Sequence, residues 1–338
     1  MALFQVQRHE RLLTELQRHG AVRVRELARD LGVSELTIRR DIAALAARNL
    51  VTRVHGGATL PSRSRPAARP RAATNGFTIG MVVPSLDFYW PPVVAGARAA
   101  AAALGVTVQL RGSSYDPDED RRQISRLVEA GEVRGLLLAP SLDDDEMIDW
   151  IGRLPVPSVL VERQPRRLRV SARKVEWVRS DHALGLEMAV QHLRENGHRD
   201  IGLLVSRGSP TSRYLRHPEL PAPVLLDDPP RPQLPRMPGE YTALIVHSDP
   251  HAIAVAQACA EHGLRVPEDV AIISYDDEVA HLAEPALTAV RPPKNHVGRL
   301  AVELIVSRLI DGDLRPARGM LVAPDLVVRQ SSLHRVRV

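Results

Sequence analysis

The chain has 338 residues, enough for two or three separately packed units, and 45 Lys and Arg against 40 Asp and Glu give it a formal net charge of +5. A single cysteine, Cys259, excludes a disulfide framework and a cysteine-based zinc site, and its Ala-rich, helix-periodic surroundings make it a buried structural thiol. No segment reaches the roughly 18 uninterrupted apolar residues of a membrane span, and no basic-then-apolar signal pattern opens the chain, so a cytoplasmic setting is expected.

Residues 1–60 form a compact helical segment. Leu12, Leu13 and Leu16 make one apolar helix face, and Gly20 stops that helix. A second helix, VRELARDLG, carries the small Ala28 and the turn-forming Gly32 of a helix-turn-helix. Ser34 then caps a third helix, SELTIRRDIAALAARN. Ile38, Ile42 and Leu45 face the core, leaving Ser34, Glu35, Thr37, Arg39 and Arg40 at the exposed N-terminal part, the part that enters a major groove. Arginine can read guanine bidentately, and Ser or Thr hydroxyls serve phosphates or base edges. LVTRVHGGATL alternates around Gly56-Gly57 as a two-stranded wing does.

No carboxylate lies between Asp41 and Asp87, an interval that holds Arg48, Arg53, His55, Arg63, Arg65, Arg69 and Arg71. Such a stretch suits a phosphate backbone. Its second half, PSRSRPAARPRAATNG over residues 61–76, has no apolar periodicity and reads as an extended basic linker.

From Phe77 the pattern becomes short apolar runs alternating with amphipathic helices: FTIGMVVP, VTVQLRG, VRGLLLAP, VPSVLVE, IGLLVS, YTALIVHSD and VAIISYDD. Alternation of this kind implies α/β architecture with parallel sheets covered on both faces. Ligands bind such sheets at the carboxyl ends of the strands, which here finish in Pro84, Ser85, Ser206, Ser248, Asp249, Asp276 and Asp277.

Over about its first sixty residues, through SELTIRRDIAALAARNLVTRVHGGA, the chain resembles the DeoR family of bacterial regulators. That resemblance makes the third helix a recognition helix and places Arg53 and His55 on a wing touching the DNA backbone. An ordinary solvated helix face is the alternative for Arg39 and Arg40. From Phe77 to about Ser332 the chain resembles the effector domain of the LacI/GalR family, which shares the periplasmic sugar-binding fold. The motifs that carry this are IGMVVPSLDFYWPPVVAGARAAAAALG, SDHALGLEMAVQHLRENGHRDIGLLVS and HSDPHAIAVAQACAEHGLRVPEDVAIISYDD. The expected organisation is a winged helix-turn-helix over 1–60, a linker over 61–76 and a two-lobed sensor over 77–332. Lobe 1 is expected at about 77–163 and 291–322, lobe 2 at about 164–290 and 323–332.

The LacI resemblance implies Ser85, Tyr89 and Trp90 as ligand contacts on the first lobe, with Phe88 as the aromatic if the register differs by one. On the second it implies Ser212, Arg216, Asp249 and Asp276, with Arg163 near the crossover. Carboxylates that accept hydroxyl hydrogen bonds, an Arg that donates them and an aromatic face suit a polyhydroxyl ligand. Bland readings stand beside these: Tyr89 and Trp90 as core or dimer-surface aromatics, Asp249 and Asp276 as helix caps, Arg163 as an exposed charge. After Arg216 the family pattern has a helix, a strand and a second helix, whereas the chain offers HPELPAPVLLDDPPRPQLPRMPGE. PAPVLL fits a short strand, but the proline density excludes two full helices, so the second lobe is abbreviated. The linker also lacks the hinge helix of LacI-type regulators.

The implied function is a DNA-binding transcriptional regulator, a repressor of carbohydrate-related genes that binds a double-stranded operator as a homodimer. A small sugar-like effector is expected to change its operator affinity. The alternative is a ligand-independent DNA-binding protein whose C-terminal domain only dimerises. No cofactor or metal is implied, and enzyme readings find no support. GHRD at Gly197 to Asp200 is similar to a kinase catalytic loop, but Val205 stands where such a loop has Asn. No His-Glu-x-x-His spacing and no phosphate-cradling Gly-rich loop occurs.

Overall fold

The computed structural model describes residues 8–9, 11–12, 14–16, 21–47, 51–54, 57–59, 76–87, 89–165, 175–228, 230–231, 241–312 and 315–333. The chain divides into two units, Met1–Ala72 and Ala73–Val338. The expected linker over 61–76, His55 and Phe88 lie almost wholly outside the described residues, as does the side chain of Arg53.

In the first unit, α1 (Val24–Leu31) and α2 (Glu35–Ala47) follow β1 (Ala21–Arg23) and precede β2 (Thr52–Val54) and β3 (Gly57–Thr59). Gly32 ends α1 with φ 63, and its N–H reaches the carbonyls of Ala28 and Arg29, so the turn rests on a left-handed residue that glycine adopts without strain. Leu12, Leu16, Leu27, Ile38, Ile42 and Leu45 are buried together as the small core. Behind α2, the buried Asp41 holds Arg8 through Nε at 2.8 Å and the His9 ring at 3.1 Å, which ties this helix to the leading helical residues. The wing has three strands in the order β1-β3-β2, one more than the expected hairpin. AVR joins it because Val22 packs on the core while its backbone pairs with Ala58.

The second unit holds two six-stranded sheets. The first, ordered β14-β8-β7-β6-β4-β5, is wholly parallel: β4 (Thr78–Val83), β5 (Thr107–Gly112), β6 (Val133–Leu138), β7 (Ser158–Val161), β8 (Glu176–Ser180) and β14 (Gly319–Val322). Period-two alternation sends Ile79, Met81 and Val83 to one face, against α3 (Trp90–Leu104) and α8 (Lys294–Asp311). Val82, Leu136 and Leu138 go to the other, against α4 (Pro117–Glu129) and α5 (Asp145–Gly152). Helices α3 and α8 approach so closely that a Cβ on Gly96 would lie 1.9 Å from the Asn295 carbonyl oxygen, and one on Gly298 2.0 Å from that of Val93.

The second sheet is ordered β10-β9-β11-β12-β13-β15: β9 (Ile201–Ser206), β10 (Val224–Leu226), β11 (Ala243–His247), β12 (Ala271–Tyr275), β13 (Thr288–Arg291) and β15 (Asp325–Val327). Only β15 runs antiparallel to its neighbour. Helices α6 (His182–Glu195) and α7 (Asp249–Glu261) cover its two faces, with Cys259 buried under the second. The chain therefore passes between sheets after Ser180, after Arg291 and between Val322 and Asp325. The first passage differs from the expected boundary at 164, because β8 pairs with β7 and β14 and so stays in lobe 1. Between β9 and β11 the described residues form one short 3-10 turn, Pro210–Tyr214, and the edge strand β10, the VLL of the segment PAPVLL.

A buried carboxylate fastens the far end of lobe 1. Glu176 accepts from Arg308 Nε at 3.0 Å, from Arg315 at 2.6 and 3.0 Å, and from the Arg318 N–H at 3.0 Å. Removing one partner of a buried ion cluster leaves uncompensated charge, which costs about 3 to 5 kcal/mol. Glu176→Gln is expected to destabilise the sensor unit by that order. The urea midpoint of unfolding checks this, and a shift under about 1 kcal/mol would show that water screens the two arginines.

Candidate functional site

Two surfaces carry the functional side chains. On the head, Ser34 caps α2 by accepting from the Thr37 N–H at 3.2 Å, and its hydroxyl pairs with that of Thr37 at 2.9 Å. Both are engaged in holding the helix start. Arg39 lies 3.4 Å from Glu35, which also faces Arg25 at 3.3 Å. These pairs are solvent-exposed and worth well under about 1 kcal/mol, so a phosphate or base can displace them. Arg40 is exposed, and Leu36, one helical turn before it, is 58% exposed, an apolar side chain with nothing of its own fold to cover. Sequence reading passed over Leu36 because a lone leucine beside a core stripe looks like part of that stripe.

In the sensor, the carboxyl ends of the strands from both sheets frame a cavity of about 610 Å³. Ser85, Tyr89, Trp90, Arg163, Asp249 and Asp276 all line it. Trp90 opens α3 and is buried, its indole N–H 3.3 Å from the Tyr115 hydroxyl. Arg163 stacks on it at 5.8 Å and donates to the carbonyls of Pro140 and Glu162 at 2.8 and 2.9 Å, so it is a buried, internally satisfied cation. Burial lowers its pKa.

Asp249 and Asp276 have different states. Asp249 is saturated: one oxygen accepts the Ser274 hydroxyl at 2.5 Å, the other the N–H groups of Glu278, Val279 and Ala280 at 2.6, 2.8 and 3.2 Å. Asp276 follows β12 in the left-handed region, φ 97, and its Oδ1 is buried with no partner within the protein. Lys294 donates to its backbone carbonyl and pairs with Glu278 rather than with the Asp276 carboxylate. Burial raises the Asp276 carboxyl to about 7, opposed by Lys294 and reinforced by Asp249, Glu278 and Glu162.

Beneath these residues lies a polar floor that sequence reading missed. Glu162 accepts from the Ser180 hydroxyl and N–H at 2.8 and 3.0 Å and lies 3.6 Å from His182, whose other ring nitrogen meets the Tyr275 hydroxyl at 3.1 Å. Burial works against its charge, but the His182 and Ser180 contacts outweigh it and leave its pKa lowered. His247 is buried, 3.9 Å from Asp276, and desolvation lowers it to about 3, helped by His182 and His251. It is therefore neutral and contributes a hydrogen-bonding group without charge.

Two expected contacts do not reach the cavity. Ser212 turns its hydroxyl back to the Ser209 carbonyl at 2.7 Å, and Arg216 is exposed. The 3-10 turn presents Ser209, Pro210 and Thr211 to the cavity instead. Its arginine, Arg213, crosses to lobe 1, where it ion-pairs with Asp143 and lies 4.5 Å over the Tyr214 ring. The proline at Pro210 starts a tighter turn than an α-helix, which rotates every following side chain from the direction that helical spacing implies.

The chain matches the DeoR-like helix-turn-helix domain over residues 8–64 and the periplasmic binding protein-like domain over residues 218–332. It is 24% identical over 336 residues to the arabinose metabolism transcriptional repressor of Geobacillus stearothermophilus, spanning 91% of this chain and 90% of that protein. It is 26% identical over 286 residues to the ribose operon repressor of Escherichia coli strain K12, spanning 75% of this chain and 82% of that one. A LacI family transcriptional regulator from Enterococcus faecium, solved with bound ribose, shares the fold at TM-score 0.60 and 19% identity, covering 77% of this chain and 100% of that one. Head and sensor together define a DNA-binding transcription regulator. Its head is of the DeoR-like kind and its two-lobed sensor has the fold of LacI-type regulators. Among the described residues no helix is long and apolar enough to cross a membrane.

The Asp276 shift sets a sign for stability. With its carboxyl moved from 3.8 up to about 7, the folded protein holds a proton that the unfolded chain has released, so the cost of burial grows as pH rises between those values and then levels off. Asp276→Asn, which removes no hydrogen bond within the protein, is expected to raise the melting temperature at pH 8 by on the order of several degrees. The gain should fall to under half of that at pH 5 and vanish below about pH 3.8. Melting curves from pH 5 to 8 check this, and an equal effect at both ends would place the charge in water.

Proposed function

We propose that this protein is a cytoplasmic, homodimeric repressor of carbohydrate-related genes, which binds a double-stranded operator through α2 and releases it when a sugar-like effector occupies the cleft. The observation that carries the reading is the pairing, on one chain, of an exposed recognition-type helix with a two-lobed cavity whose Asp276 has unused acceptor capacity. Carboxylate oxygens of this kind accept the hydroxyls of a sugar, and Tyr89 and Trp90 offer the apolar face that a sugar ring covers. The relatives named for arabinose metabolism and the ribose operon, and the ribose-bound regulator, support the same ligand class.

On DNA, Arg39 and Arg40 are assigned base or phosphate contacts, and Arg53 and His55 the backbone beside the wing. Leu36 is assigned an apolar contact with a thymine methyl in the major groove. Arg40→Ala is expected to weaken operator binding by about 1 to 3 kcal/mol, and Leu36→Ala to relax choice at one base pair. Selection from a random duplex pool by the full chain and both variants checks this, and unchanged sequence preference in both would remove α2 from base reading.

For the sensor, Asp276→Ala is expected to keep operator affinity and lose the effector response, because a ligand shifts an equilibrium only through its different affinity for the two states. An active effector changes operator affinity by roughly 5- to 150-fold. Thermal-shift screening of sugars followed by operator titration measures this. Specific operator binding with no responding ligand would favour the ligand-independent alternative, in which the abbreviated second lobe serves dimerisation alone.

A further inference from the structure

We propose that the cleft selects by charge: it takes a polyhydroxyl ligand that is neutral or carries a protonated amine, and rejects the phosphorylated counterpart. The inference rests on the sensor reading above and adds the class of effector. Among the described residues lining the cavity, Asp87, Glu162, Asp228, Asp249, Asp276 and Glu278 bring carboxylates, while Arg163 alone brings a permanent cation.

The surplus survives internal pairing. Glu162 is compensated by Ser180 and His182, Asp249 by three backbone N–H groups and Ser274, and Glu278 by Lys294. Three carboxylates remain that form no ion pair with a Lys or Arg. Asp87 accepts the Ser85 hydroxyl, Asp228 accepts that of Ser206 at 2.6 Å and lies 3.3 Å from His251, and Asp276 has an unpartnered Oδ1. They come from both lobes, Asp87 from the first and Asp228 and Asp276 from the second, so a ligand between the lobes meets the same sign on either side.

Phosphate recognition needs the opposite equipment, such as a forked Arg, a Lys or a nest of free N–H groups. Arg163 is committed to two carbonyls and to Trp90. The N–H groups of Glu278, Val279 and Ala280 are taken by Asp249. His247 is held neutral by burial. Its Nδ1 and that of His251 have no partner within the protein and are free to bond neutral ligand groups.

Calorimetric titration of the full chain with free pentoses and hexoses, their 2-amino derivatives and their phosphate esters tests the selection. The expected order is amine at or above parent sugar, with the ester at least about tenfold weaker, the size of two like charges meeting roughly 10 Å apart in a partly screened cleft. Raising salt should narrow the gap, and the double variant Asp87→Asn, Asp228→Asn should narrow it at constant salt. An ester that binds as tightly as its parent sugar overturns the proposal, as does a gap unmoved by the double variant. A panel in which no compound binds overturns the sensor reading beneath it, an outcome distinct from binding with the wrong charge order.

Discussion

The loop after β12 is gathered around one buried carboxylate, with Lys294 holding the Asp276 carbonyl and Arg291 and Arg329 pairing with Asp277. Asp249, at the first position of α7, receives three successive N–H groups from Glu278 to Ala280 on one oxygen and the Ser274 hydroxyl on the other. Charge-assisted bonds of this kind are about twice as strong as neutral ones, and the positive end of α7 favours the anion they surround. The clamp holds Asp276 and Asp277 at φ 97 and 51, conformations that relax readily in an unrestrained loop. Asp249 thus spends its whole hydrogen-bonding capacity on geometry and leaves chemistry to its neighbour.

The same division runs through the rest of the site. Glu162, Ser180, His182 and Tyr275 form a closed polar floor at the crossover between the lobes, each bonded to another member. Buried polar groups satisfied in this way stiffen a site. Above the floor, Asp276 Oδ1, His247 Nδ1 and His251 Nδ1 are left without partners within the protein, and all three residues line the cavity. Open acceptor and donor capacity that faces a cavity is where a ligand's hydroxyl or amine groups can complete the structure, offsetting the cost of an orphaned buried polar atom.

Much of this was legible in the sequence. The order of strands and helices follows from apolar runs that alternate with helix-period segments, and strand ends point to the cavity because parallel sheets bind there. Strand ends and family likeness point to Asp276, Tyr89, Trp90 and Ser85, all of which line the cavity. The side of the fold to which a strand belongs was harder: VEWVRS alternates well enough for either sheet, and only its pairing with β7 and β14 puts it in lobe 1. Glu176 could not be found, since Arg308 and Arg315 stand 132 and 139 residues away. From sequence Asp249 reads equally as a ligand contact or a helix cap, and three N–H groups of a distant loop separate those roles.

The abbreviated second lobe and the charge of the cleft meet at one short turn. Among the described residues between β9 and β11, the helical span is Pro210–Tyr214, too short to hold itself by packing. It is anchored across the cleft instead, with Arg213 pairing to Asp143 and both Arg213 and Arg179 resting on the Tyr214 ring at 4.5 and 4.2 Å. Arg179 in turn donates to Gln164 and to the Ser180 carbonyl at 2.9 and 2.8 Å. The guanidinium groups of Arg179 and Arg213 are therefore engaged in bracing this turn. Asp228 and Asp276 pair with no Lys or Arg and line the cavity. With these arginines held at the turn, Arg163 is the one arginine among the described residues that line the cavity, against six carboxylates.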